Sequence, residues 1–310
     1  MAERPLVSLL AGGCAAAGSS IAVGSSVAAS SRLTEYPIAF GQALRYALAA
    51  LLLLALVRFR PSWPRLRPAQ WLRLAALAAV GLAGFNFFLI AALRGGDAGT
   101  VGAIVGAVPV VLALAGPLSS RRAPSPGIVA AAAVVVAGAA IVHGVGGSMP
   151  ASTLLWAILA MLCECGFSLL AVPLLDDLEP AALSMWVSAV AAVVLFVHGL
   201  AFGGPPPLPT GAETAAIGYL ALVPTAGAFV LWYSSLSKIP VETAGLFAGL
   251  IPIAAMLTSV AVGATTVTFV RAGGALLIGG GVVLGVLASR RATVPRDPPE
   301  RHTAPVPEAP

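Results

Sequence analysis

Thr100-Val-Gly-Ala-Ile-Val-Gly-Ala-Val-Pro109 and Thr243-Ala-Gly-Leu-Phe-Ala-Gly-Leu-Ile-Pro252 align without a gap at an offset of 143 positions. Thr100 falls on Thr243, Gly102 on Gly245, Gly106 on Gly249 and Pro109 on Pro252. The same offset brings Pro37 to Pro180, Ala83-Gly84 to Ala226-Gly227, Leu93 to Leu236 and Gly138 to Gly281. A chain that repeats itself over such a length, with its glycine and proline breaks in register, is organised like the carriers built from structural repeats.

The solvent follows from composition. Of the 310 residues 59% are hydrophobic and 9% charged, and the mean hydropathy is +0.97. Soluble domains carry roughly 25% charged residues, so lipid is the medium that suits this chain. The net charge of +5 does not point to nucleic acid, because the arginines lie in loops between apolar runs and form no continuous basic face. Cys14, Cys163 and Cys165 all sit inside apolar runs, without disulfide or metal-ligand spacing. The first run is longer than a signal-peptide core and has a counterpart in the second copy, so it reads as a retained span.

A bilayer-crossing helix needs about 20 apolar residues. Ten runs meet that need, at 6–29, 38–57, 73–93, 98–118, 126–145, 152–174, 181–201, 214–236, 241–262 and 267–289. Backbone groups in lipid must be satisfied within the segment, which makes each run a helix. Five spans per copy is an odd number, so the second copy enters the membrane upside down. The expected fold is therefore an all-α membrane protein of ten transmembrane helices in two inverted five-helix repeats, over 1–146 and 147–289. Residues 290–310, rich in Pro, Arg and Glu, read as a disordered cytoplasmic tail. Basic residues fix the orientation. With both termini inside, the cytoplasmic segments collect Arg4, Arg58, Arg60, Arg65, Arg67, Arg73, Arg121, Arg122, Lys238, Arg290, Arg291, Arg296 and Arg301, against Arg32, Arg94 and Arg271 outside.

Several residues within spans are candidates for chemistry. Gly102, Gly106 and Pro109 share one helical face, as do Gly245, Gly249 and Pro252; they read as hinges flanking a solute path or as dense helix packing. Pro224, aligned with Gly81, predicts a further break in span eight. Glu164 lies midway along span six, where an ionised carboxylate is costly; it reads as a site for a solute's positive group or a coupling proton, or else as a hydrogen-bonded helix contact. Arg45 lies roughly 11 Å from the outer end of span two and Glu164 roughly 18 Å from that of span six. Arg45 is thus placed to hold a solute carboxylate, to pair with Glu164, or to snorkel outward. Asn86 is a cavity donor or an interhelical bond, and Ser168 lies one turn beyond Glu164. Trp232 and Tyr233 fit an interfacial aromatic belt as well as a stacking surface. His143 and His198 are expected at the interface. Gly279-Gly280-Gly281 and Gly285 are expected in close packing, including a homodimer face.

No phosphate loop, dinucleotide fingerprint, zinc-binding helix or nucleophile elbow appears. The expectation is no enzyme and no cofactor, with an ion or solute gradient as the driving force. The layout, the Arg45-Tyr-Ala-Leu-Ala stretch in span two, and the small-residue segments leading to Pro109 and Pro252 resemble the drug/metabolite transporter superfamily, in its EamA branch of ten-span permeases. That resemblance implies export of amino acids or related metabolites through a cavity between the repeats, with proton coupling. It departs from the branch where a glutamate usually precedes the last span of each half, since those regions read Ser119-Ser-Arg-Arg122 and Val262-Gly-Ala-Thr265. The resulting expectation is a multi-pass bacterial plasma-membrane transporter whose partners are a small solute, protons and lipid. Efflux of a hydrophobic cation and a non-transporting scaffold or sensor are the alternatives.

Overall fold

The computed structural model describes residues 3–58, 66–144 and 149–293, and every regular element among them is helical. Ten apolar helices are long enough to cross a membrane: α1 (Val7–Leu33), α2 (Ile38–Val57), α3 (Pro68–Gly95), α4 (Ala98–Ser119), α5 (Pro126–His143), α6 (Ala151–Leu174), α7 (Pro180–Gly203), α8 (Gly211–Leu236), α9 (Val241–Ala261) and α10 (Phe269–Arg290). The ten spans expected from the sequence are these ten. The largest shift is at α3, which starts five residues early because Pro68 occupies its first turn and the Gln70 side chain accepts from the Arg67 N–H at 2.6 Å. One expectation changes at the other end. The last helix runs on to Thr293, so 290–293 are helical rather than part of a tail, and 294–310 lie outside the described residues.

Breaks recur at matched places in the two repeats. In α4 the helix stops at Val105 and restarts at Val108; in α9 it stops at Phe247 and restarts at Leu250. Each restart carries a proline in its first turn, Pro109 and Pro252, where the missing N–H costs nothing. In α8 the turn over Leu222–Gly227 is π-helical, as Pro224 suggests. Its counterpart in α3, Ala78–Gly84, is π-helical as well, without any proline. Single π turns inside helices mark places where regular bonding has been traded for something else.

The repeats interlock. α2 lies along α7, α4 against α9, and α5 along α10, so each of these helices packs on its own counterpart. α1 packs on α8 and α9, and α3 on α6, completing the exchange between halves. Glycines set the close crossings. A side chain on Gly24 would strike Ile251 O at 2.5 Å, and one on Gly138 would strike Gly274 O at 2.6 Å. With ten crossings, the start of α1 and the end of α10 lie on one side, called here the terminal face, and the other side is the opposite face.

Candidate functional site

A cavity of about 460 Å³ opens between α2, α3 and α7 toward the opposite face. Ile38 of α2, Phe87, Ile90 and Arg94 of α3, and His198 of α7 line its outer part, and Asn86 lies among its deepest residues. Asn86 Nδ2 donates to the Tyr46 hydroxyl at 3.1 Å and to the Leu82 carbonyl at 2.7 Å. The Leu82 carbonyl belongs to the π segment of α3. Gly81 lets that segment seat against α6, since a Cβ there would fall 2.9 Å from Phe167 Cβ.

Beyond Asn86, toward the terminal face, lies Glu164. It is half-buried and has no hydrogen-bond or ion-pair partner among the described residues. The groups electrostatically coupled to it are the phenols of Tyr46 and Tyr233 and the thiols of Cys163 and Cys165. Tyr233 is fully buried, and its hydroxyl has no partner. The rings of this region pack on one another. Phe167 lies 5.0 Å from Phe229 and 5.2 Å from Tyr233, and Tyr46 lies 6.4 Å from Phe229, centroid to centroid. A carboxyl group at mid-membrane beside two phenols, with no ion-pair partner among the described residues, is costly to hold ionised.

Arg45 does not pair with Glu164. Its Nε donates to Thr225 Oγ1 at 2.6 Å, Nη2 lies 3.5 Å from the Pro224 carbonyl, and Nη1 lies 3.4 Å from Gln42 Oε1. Pro224 and Thr225 belong to the π turn of α8, and Thr225 Oγ1 in turn donates to the Leu220 carbonyl at 2.7 Å. The guanidinium also sits 5.4 Å from the centre of the Tyr46 ring. Neither snorkelling nor a pair with Glu164 describes this: α8 bends open at Pro224, and Arg45 from the other repeat satisfies what the bend exposes.

For Trp232 and Tyr233 the structure removes one of the two readings. Both are buried inside the bundle rather than placed in an interfacial belt, and Trp232 Nε1 donates to Ser168 Oγ at 3.1 Å. Ser168 and Trp232 therefore join α6 to α8 below Glu164. The glycines at 102, 106, 245 and 249 are used in packing, against His143, Ala139, Leu112 and Val135 respectively. His143, the last residue of α5 and half-buried, lies against Gly102 of α4, while the exposed His198 lines the cavity. Of the α10 glycines, Gly281 and Gly285 pack on neighbouring side chains, but Gly279 and Gly280 meet open space.

The fold defines a ten-span membrane protein of two interlocked repeats, with a cavity between α2, α3 and α7. The chain belongs to the EamA-like transporter family, which it matches over residues 10–144 and again over 151–287. Among curated relatives it is 29% identical over 216 residues to the "Probable terminal-alkyne amino-acid exporter" of Streptantibioticus cattleyicolor, covering 67% of this chain and 70% of that one. It is 28% identical over 136 residues to the "Uncharacterized transporter YetK" of Bacillus subtilis, covering 43% of this chain and 41% of that one. A crystal structure aligns with a TM-score of 0.78 at 21% identity, over 91% of this chain and 98% of the other, a likeness of fold alone.

Proposed function

We propose that this transporter is a secondary carrier exporting amino acids or related small amine-bearing metabolites from a bacterial cytoplasm, with both termini cytoplasmic. The observation that carries the reading is the Glu164 carboxyl, without a partner among the described residues and near the phenols of Tyr46 and Tyr233. An ammonium group, or a proton in its absence, supplies the charge that Glu164 lacks, and the phenol oxygens share its N–H donors. Asn86 lines the cavity and is the polar group a solute meets after Arg94 and His198 at its outer part. Arg45 is engaged by α8, so it serves the frame rather than the solute carboxylate. The repeats alternate around this centre, with the breaks at 106–107 and 248–249 and the paired π turns as the places that bend. The basic loops support the orientation, and a relative named as an amino-acid exporter supports the substrate class.

The test is uptake into proteoliposomes of matched pairs, an amino acid and the same skeleton without its amine, with and without a pH gradient. Flux of the amines alone supports the proposal; equal flux of both members sinks it. A single carboxylate among aromatic faces also fits organic cations. Transport of a quaternary ammonium in preference to any amino acid would assign that substrate instead.

A further inference from the structure

The two ends of the α4–α9 contact are not alike. At the terminal face the second half of α4 (Val108–Ser119) packs on the first half of α9 (Val241–Phe247). The two remaining halves, toward the opposite face, have no comparable contact. Arg122 Nη2 bridges the closed end, 3.2 Å from Glu242 Oε1. The Glu242 side chain is 6% exposed and that of Arg122 56%. Glu242 stands in the first turn of its helix, where the free N–H groups favour an anion. Its other oxygen, Oε2, is buried and has no partner.

Three features of the sequence build this contact. Gly116 brings the helices together, since a Cβ there would lie 2.7 Å from Val241 Cγ1 and 3.0 Å from Glu242 Oε2. The end of α4 then folds back on itself, with the Arg121 N–H donating to the Leu118 carbonyl at 3.0 Å and the Arg122 N–H to the Pro117 carbonyl at 2.8 Å. Arg121 takes φ 54°, a left-handed position usually given to glycine, and the turn delivers Arg122 to α9. The end of α9 closes with the same pair of bonds, but there Gly263 holds the left-handed position and Ala264 follows. The counterpart of Glu242 at the repeat offset is Gly99. Among the described residues the ion pair joins these helices at one face; at the mirror-related place the mates are Gly99 and Thr265, and Arg271 there bonds Thr265 Oγ1 at 2.6 Å rather than a carboxylate.

We propose that Arg122 and Glu242 form a one-sided latch: they hold α4 to α9 at the terminal face, so that the resting carrier stays open toward the opposite face, and the pair must part before the terminal face can open. This rests on the chain being an alternating-access carrier, but not on which solute it carries. Both are positioning residues that touch no substrate.

Val241 reports on the contact because it is buried directly beneath Gly116. In the full-length carrier in proteoliposomes, with Cys14, Cys163 and Cys165 replaced by alanine, V241C is alkylated with a polar maleimide supplied at the terminal face. R122A, at an exposed side chain, leaves the buried carboxylate without its counter-charge and is expected to speed alkylation roughly tenfold, while R122K stays within about twofold. E242Q is expected to act in the same direction. A merely stabilising pair would lower the melting temperature and leave the alkylation rate alone. An unchanged rate in R122A overturns the latch. The readout needs no substrate, so its failure is distinct from failure of the amine-export reading, which the uptake assay decides.

Discussion

Arg45 of α2 donates to Thr225 Oγ1 of α8 at 2.6 Å, and through that bond one repeat closes the opened turn of the other. The two bonds form a chain, because the Thr225 hydroxyl that accepts from Arg45 itself donates to the Leu220 carbonyl. Replacing either end strands the rest. Thr225→Val should cost about 1.5–3 kcal/mol, the range for a hydrogen bond to a charged group. Arg45→Lys should cost a similar amount, because an ammonium cannot reproduce the guanidinium fork. Since both remove one interaction, the double variant should melt no lower than the worse single one, rather than at the sum. Thermal unfolding of the four proteins in detergent checks this, and additive losses would show that the bond is not shared.

The Trp232–Ser168 bond joins α6 to α8 in a dry setting. Ser168→Ala leaves the indole N–H without its acceptor, at a cost of about 1–3 kcal/mol. Melting curves measure the loss, and Ser168→Thr, which restores a hydroxyl, should recover part of it. Full stability in Ser168→Ala would mean that Trp232 finds another acceptor.

Glycines alike in sequence should respond in opposite ways. Gly24→Ala drives a methyl into the backbone of α9, with Ile251 O at 2.5 Å and Ala255 N at 2.9 Å, and should cost about 1–3 kcal/mol. Gly280→Ala meets nothing within 4 Å. It should be neutral or stabilising by up to about 1 kcal/mol, from the better helix propensity of alanine. Comparing folded yield and melting temperature for the two variants separates packing glycines from idle ones; equal effects would contradict the packing described for α1 and α9.

Much of this architecture was legible because lipid leaves the backbone so few choices. An apolar run of the right length must be a helix, and the 143-residue offset forces the inversion once five spans are counted. Proline made the π turn in α8 foreseeable. The matching turn in α3 was not, because Gly81 and Gly84 merely permit it and the close approach of Phe167 to Gly81 shows only in tertiary contact. Glu164 stood out as a lone acid at mid-membrane, but its nearness to Tyr46 and Tyr233 did not, these being ordinary amphipathic residues until α2, α6 and α8 bring them together. Trp232 and Tyr233 lie three or four residues from the end of α8, a place that suits an interfacial ring equally well. Only tertiary contact turns them inward. Glu242 escaped notice because an acid in the first turn of a helix is common. What singles it out is Arg122, distant in sequence and supplied by the other repeat.

The most direct measurement is amino-acid uptake and binding by Glu164→Gln in proteoliposomes, beside the wild-type carrier at equal folded content. If the unpartnered carboxyl receives the solute's amine or its proton, gradient-driven uptake should be lost. Affinity for the amine-bearing solute, read by Trp232 fluorescence, should weaken by a factor on the order of ten or more. Wild-type uptake and affinity in Glu164→Gln, with and without the gradient, would contradict that role and leave the carboxyl as a helix contact.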